Sequence, residues 1–442
     1  MGLPGTLPVA NTALIEGAII AGLALNCTVA SRTKFDRKNY VYPDLPKGYQ
    51  ISQYDMPICT DGRLEIETDD GGSRTVRVLR LHMEEDAGKN IHADDGRNSS
   101  FVDFNRCGTP LLEIVSEPDM RSPDEAVRYV RGIREILRYL GISDCNMEEA
   151  SLRGEANINL WIYEDEEKYA TPIVELKNMN SFRAMRAALQ YEVKRQLAEW
   201  REHRVTLQDA GKSTRGFDEN RGVTVLQRSK EEEADYRYFP EPDLKAISIP
   251  DSMVAGLRER VGELPAAKRT RFAEEYRLNE TDAAVLAESR AFAEYFEAAV
   301  TGYPNPRAMA NWLFSEVKKY LNAKQIDIGE LEVSPESLRS LLEKIDSGEI
   351  SGKIAKDVFE RMAESGETPE VIVERRGLAQ ISDEGELQTL IERIVTENPD
   401  SADDYRAGKE KALKYLMGQV MKNTKGKANP RLADKILRET LA

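Results

Sequence analysis

Residues 64–86 read Leu64-Glu-Ile-Glu-Thr-Asp-Asp-Gly-Gly-Ser-Arg-Thr-Val-Arg-Val-Leu-Arg-Leu-His-Met-Glu-Glu-Asp86. Two β-type runs, Leu64–Glu67 and Thr75–Met83, flank Asp69-Asp70-Gly71-Gly72, where glycine reaches the positive φ of a hairpin turn at no steric cost. If the second strand continues to its acids, Leu81, Met83 and Glu85 share one face and His82 and Glu84 the other, so adjacent carboxylates need not serve one site. This hairpin makes the amino-terminal part β-rich.

Outward from the hairpin, the texture changes near Pro250. Before it, short β runs alternate with occasional helices. One helix is expected from Ser122 to Leu140: Ser122 caps it, Pro123 fits its first turn, Asp124 and Glu125 suit its positive end, and Gly141 ends it. Val127, Val130, Ile133, Ile136, Leu137 and Leu140 form its apolar stripe. A second helix is expected over about Phe182–His203. After Pro250 the pattern is almost wholly helical, punctuated by Glu263-Leu264-Pro265, Tyr303-Pro304-Asn305-Pro306 and Ser334-Pro335-Glu336. A weaker seam lies near Gly377–Ser382. The fold class is therefore α+β, with a β-rich region over 1–250, helices over 251–376 and a terminal helical unit over 377–442.

The 442 residues exceed one ordinary domain. Lys plus Arg number 62 against 77 Asp plus Glu, a net charge of −15, so any RNA or phosphate site is local rather than a general basic coat. Lys409–Ala442 reverses the balance, with nine basic residues against three acidic. Cys27, Cys59, Cys107 and Cys145 are scattered, which excludes a near-neighbour zinc or disulfide framework and points to a reducing cytoplasm. The apolar stretch Ala13–Ala30 contains Glu16 and Asn26 and falls short of the ~20 apolar residues a spanning helix needs. No membrane role is expected.

Common nucleotide and hydrolase motifs are missing. Thr206–Ser213 ends in Gly211-Lys212-Ser213 like a Walker A loop, but Thr206 replaces the first glycine and a helix, not a strand, precedes it. Polar residues concentrate instead in four places. Lys34–Asp55 interleaves cations Lys34, Arg37, Lys38 and Lys47 with tyrosines, a composition suited to phosphates and stacked bases or to a tyrosine-rich loop on a core. Leu81–Lys89 carries Glu84, Glu85 and Asp86. Gly108–Asp119 sets Glu113 in an apolar strand, where an unpartnered carboxylate is costly, so a metal or cation partner is expected. Met147–Ser181 again alternates polar and apolar residues. Carboxylates without a nucleophile or catalytic histidine fit Mg²⁺-assisted phosphoryl transfer.

Lys34–Asp55, Leu81–Lys89, Gly108–Arg121 and Asp235-Tyr-Arg-Tyr-Phe-Pro-Glu-Pro-Asp243 resemble successive signatures of the GatB/GatE family, and the likeness runs through essentially the whole chain. Asp243 leads into Pro250 without an inserted synthetase-like block, which favours the family's GatB branch. The resemblance implies a cradle domain, a helical domain and a YqeY-like, tRNA-binding tail. It also implies an ATP-dependent ligase working in the cytoplasm as one subunit of a tRNA amidotransferase, with A and C partner subunits. Such an enzyme phosphorylates the side-chain carboxylate of Glu on tRNA(Gln), or of Asp on tRNA(Asn), and ammonia from the A subunit displaces the phosphate. By the same resemblance Glu85 and Glu113 are expected Mg²⁺ ligands and Lys38 and Lys47 catalytic cations. Arg37, Tyr40, Lys422, Lys425, Lys427 and Arg431 are expected to contact tRNA, with Glu84 and Lys89 as further candidates.

Family members begin further upstream, with a Gly-Leu-Glu-Val-His strand carrying metal ligands and often a cysteine-rich zinc segment. Met1–Gly5 resembles an internal stretch of that pattern, so the chain reads as shortened at its amino terminus and as weakly active or inactive as written. The rival reading is a noncatalytic tRNA-binding scaffold, which the missing strand favours and Glu85, Glu113, Lys38 and Lys47 oppose.

Overall fold

The computed structural model describes residues 5–92, 100–229, 235–378, 384–424 and 428–441. The chain divides into two units, 1–265 and 266–442. In the first, helix α1 (Thr12–Ala24) starts where the Asn11 side chain accepts a hydrogen bond from the Ala13 backbone N–H at 2.9 Å. Ala18–Ala24 are buried, so the apolarity of this stretch builds a core. Among the described residues no helix is long and apolar enough to cross a membrane.

Strands β1 (Thr28–Val29), β2 (Asp36–Asn39), β3 (Tyr49–Ser52), β4 (Cys59–Glu67), β5 (Ser73–Glu85) and β6 (Pro110–Ser116) follow. Four of them form an antiparallel sheet in the order β1-β4-β5-β6. The β4–β5 hairpin closes where read from sequence: Glu67 pairs with Ser73, and Gly71 has φ +81°. A β-bulge interrupts β5 between Val78 and Arg80. Without it, the alternation that buries Val76 and Val78 would turn Arg80, His82 and Glu84 into the core. The added residue instead buries Leu81 and Met83 and leaves the polar row on the other face.

Helix α2 (Pro123–Tyr139) is capped by Ser122, which accepts from Glu125 N–H at 3.1 Å. A second sheet has the order β7 (Ala156–Ile158), β8 (Ile173–Lys177), β9 (Lys212–Asp218), β10 (Val223–Ser229). Its parallel β8–β9 pair needs a crossover, supplied by α3 (Phe182–His203), whose bounds match those expected. The Walker-like stretch lies after that helix: Thr206 and Asp209 cap a short turn of helix, Leu207–Ala210, and Lys212 already belongs to β9. Strand β11 (Phe239–Pro240) returns to pair with β2, which pairs with β3.

Helix α4 (Asp251–Val261) follows Pro250 and reads from sequence as the start of the helical part. Its Leu257 and Val261 are buried with α1, α2 and the inner face of β4 and β5 in one core. The second unit holds two separate apolar clusters, one from Phe272 to Val373 and one from Leu387 to Leu441. Its helices start at the prolines and caps expected: Asn305 caps Pro306–Trp312 and Ser334 caps Pro335–Asp346.

Candidate active site on the polar face of the first sheet

Register places His82 of β5 directly opposite Glu113 of β6. Glu84, two residues along β5, shares their face. His82 Nε2 lies 3.2 Å from Glu84 Oε1 and 3.4 Å from Glu113 Oε2, and one ligand atom from each of the three residues falls within 4.8 Å of the others. His82 and Glu84 are buried, whereas the Glu113 side chain is 48% exposed. The desolvation cost expected of Glu113 in an apolar strand is thus offset: the carboxylate reaches an open edge and has an imidazole beside it.

Strand β3 fastens the end of β5 through side chains. Ser52 Oγ donates to Glu84 Oε1 at 2.6 Å and Gln50 Nε2 to Glu84 Oε2 at 3.1 Å. Gln53 Oε1 accepts from Met83 N–H at 3.0 Å. Tyr40 Oη donates to Gln50 Oε1 at 3.3 Å, behind Glu84. Burial first, and then the negative charge of Glu84, push the Tyr40 phenol up to about 12.

Glu85 points to the opposite face and is not brought to Glu113. Its Oε1 accepts from Ile51 N–H at 3.0 Å and from the Lys47 ammonium, in an ion pair whose side chains are 13% and 7% exposed. Lys38 differs from Lys47: it makes no ion pair among the described residues, and its Nζ lies 5.1 Å from the Tyr236 ring centroid and 5.9 Å from that of Tyr40. Tyr238 stacks on Tyr54 with ring centroids 4.4 Å apart, so the Asp235–Asp243 segment brings two tyrosines beside Lys38 and Tyr54. Lys89 is exposed on a separate short strand, Lys89–His92.

The pair His82–Glu113 is polarised. A hydrogen bond from His82 holds Glu113 below the usual glutamate range against the effect of burial. Burial alone would lower the pKa of His82, but hydrogen bonds to Glu113 and Glu84 leave it raised. The donor set suits a hard divalent cation. Two carboxylates supply oxygens, Ser52 and Gln50 orient one of them from behind, and His82 Nε2 faces both.

Arg37 forks onto Glu241 at 2.7 and 2.9 Å, reaches Asp243 at 3.3 Å, and lies 4.2 Å over the Tyr49 ring. This clamp joins β2 to the segment of β11. Burial would raise the Glu241 pKa, but the hydrogen bonds from Arg37 leave it below the ordinary 4.5. A lowered carboxylate stabilises the fold above its unfolded pKa and loses that contribution as pH falls through the folded value. Glu241→Gln is expected to destabilise the protein by about 3 kcal/mol at neutral pH. The difference from wild type should close below pH 4.5 in urea titrations at several pH values, and a gap independent of pH would contradict this account.

Sequence reasoning ranked Glu84 low and passed over His82, Tyr236 and Tyr238 as individual site residues. The available signal was the strand alternation that puts His82 and Glu84 on one face; the register with Glu113 was not readable. In the second unit, Lys422 is exposed near the end of helix Glu410–Asn423. Lys425, Lys427 and the side chain of Arg431 lie outside the described residues.

A helix-backed antiparallel sheet with a carboxylate–imidazole cluster on its polar face, flanked by Lys38 and tyrosines, defines a candidate metal-assisted catalytic domain. The family model described as the GatB/GatE catalytic domain matches residues 1–255, and one described as the GatB domain matches 294–441. The chain belongs to the GatB/GatE family. It is 48% identical to a protein of Caldanaerobacter subterraneus subsp. tengcongensis, 49% to one of Carboxydothermus hydrogenoformans and 47% to one of Borreliella burgdorferi. All three are named as the B subunit of aspartyl/glutamyl-tRNA(Asn/Gln) amidotransferase, and each match covers 100% of this chain and 91% of the relative.

Proposed function

We propose that this chain is the B subunit of a tRNA-dependent amidotransferase, working in the cytoplasm with A and C subunits. It activates the side-chain carboxylate of Glu on tRNA(Gln) or Asp on tRNA(Asn) with ATP. A carboxylate oxygen attacks the γ-phosphorus and ADP leaves; ammonia then attacks the carbonyl carbon, and phosphate departs with the carboxylate oxygen. Activation is required because an unmodified carboxylate offers no adequate leaving group. The observation that carries this reading is the His82–Glu84–Glu113 cluster within the span of the catalytic-domain match.

Glu84, Glu113 and His82 would hold Mg²⁺, which when bound supplies positive charge for the transferring phosphoryl group. Lys38, with no ion pair among the described residues and beside the tyrosines, would meet phosphate oxygens. The buried Lys47–Glu85 pair fixes β5 against β3, which holds Glu84 in place. Tyr54, Tyr236 and Tyr238 lie beside Lys38 and would shield the acyl phosphate from water, which would destroy it. The expected division into a cradle over 1–250, helices over 251–376 and a tail over 377–442 is retained as part of this proposal, except that α4 packs into the cradle core. A noncatalytic scaffold would have no use for the cluster.

The direct test incubates the assembled complex with γ-labelled ATP and Glu-tRNA(Gln). Label should be released as phosphate in step with formation of Gln-tRNA(Gln); amidation without ATP consumption would refute the reading. The tail carries a further expectation. Lys422, Lys425, Lys427 and Arg431 contact tRNA phosphates, so replacing all four with Gln should weaken binding and flatten its salt dependence. Unchanged binding through a salt titration would assign these residues to a solvated surface.

A further inference from the structure

Arg80 occupies the position on β5 that the bulge controls. It pairs across the sheet with Val115, one step along the same face from the His82–Glu113 pair. Other arginines of this strand are engaged: Arg74 holds Glu125 at 3.2 Å, and Arg77 forks onto Asp119 at 2.8 and 2.9 Å. Arg80 makes no side-chain hydrogen bond or ion pair among the described residues, and its Nε is buried with no acceptor. A buried N–H left without an acceptor is costly, because it gives up water and gains no partner.

A planar cation set one step along the strand face from the His82–Glu113 pair, yet bonded to neither, is placed to meet an anion. Guanidinium presents paired N–H donors in the geometry of phosphoryl oxygens. We propose that Arg80 is a catalytic residue whose guanidinium binds the oxygens of the phosphoryl group during its transfer from ATP to the aminoacyl carboxylate. With Lys38 it supplies positive charge from the protein where negative charge accumulates in the transition state. The bulge is what sets this side chain on the polar face of the sheet rather than on its core face. The inference rests on the phosphoryl-transfer reading and deepens it.

The test uses the assembled complex with Arg80→Lys, Arg80→Gln and Arg80→Ala. Glutamine hydrolysis, tRNA binding by filter retention and thermal melting are measured beside tRNA-dependent phosphate release. Phosphate release should fall about 10²–10³-fold in kcat in the Lys and Gln variants while the other three readouts hold. Added methylguanidinium should restore part of the turnover of Arg80→Ala, which a purely structural arginine would not allow. Unchanged turnover in the variants, or a loss that tracks melting in all three and resists methylguanidinium, would overturn the assignment of Arg80. A wild-type complex that releases no phosphate would overturn the underlying reading of the site.

Discussion

In the assembled complex, Glu113→Gln is expected to lower tRNA-dependent phosphorylation by about 10²–10³-fold in kcat while leaving glutamine hydrolysis intact. The change keeps the shape of the side chain and removes its charge. Glu113 is the most exposed member of the cluster, and its carboxylate faces His82 rather than supporting a core, so the fold should tolerate the substitution. His82 would lose the partner that contributes most to its raised pKa. Phosphate release and glutaminase activity, measured in parallel, separate the two reactions. Equal turnover by wild type and variant would remove Glu113 from the mechanism.

The Lys47–Glu85 pair should behave differently. Glu85→Gln leaves the Lys47 ammonium, 7% exposed, without its counter-ion, and is expected to destabilise the protein by about 3–5 kcal/mol. Lys47→Met with Glu85→Leu removes both charges and should recover much of that loss, since an apolar pair of similar volume avoids the desolvation cost. A double-mutant cycle followed by urea unfolding measures the coupling. Additive effects would show that the ion pair does not fix β5 to β3. If the double variant regains stability but not phosphorylation, Lys47 or Glu85 acts on substrate as well.

What the sequence disclosed depended on how local each signal is. The β4–β5 turn, the Ser122 cap and the bounds of α3 arise from residues a few positions apart, and the structure places them as expected. The alternation of Glu84 and Glu85 was also local and correctly separated their faces. Register between strands is not local: nothing near Glu113 announces His82 as its partner. The same holds for Lys47 reaching Glu85, for Arg37 spending its donors on Glu241, and for Tyr238 stacking on Tyr54. Each of these pairings is created by the chain's return, so residue chemistry could nominate Lys38, Lys47, Glu85 and Glu113 without saying which would meet. The helical half showed its caps and prolines plainly, yet α4 joined the first unit because its Leu257 and Val261 match the apolar face of α1.

The central claim is that the polar face of the first sheet activates a carboxylate by phosphorylation. Glu-tRNA(Gln) labelled with heavy oxygen in the glutamyl side-chain carboxylate tests it most directly, because an acyl phosphate passes one carboxylate oxygen to the departing phosphate. With the wild-type chain in the complex, released phosphate should carry one heavy oxygen for each Gln-tRNA(Gln) formed, and with Glu113→Gln the labelled phosphate should fall together with product. Gln-tRNA(Gln) formed while the phosphate stays unlabelled would contradict the account.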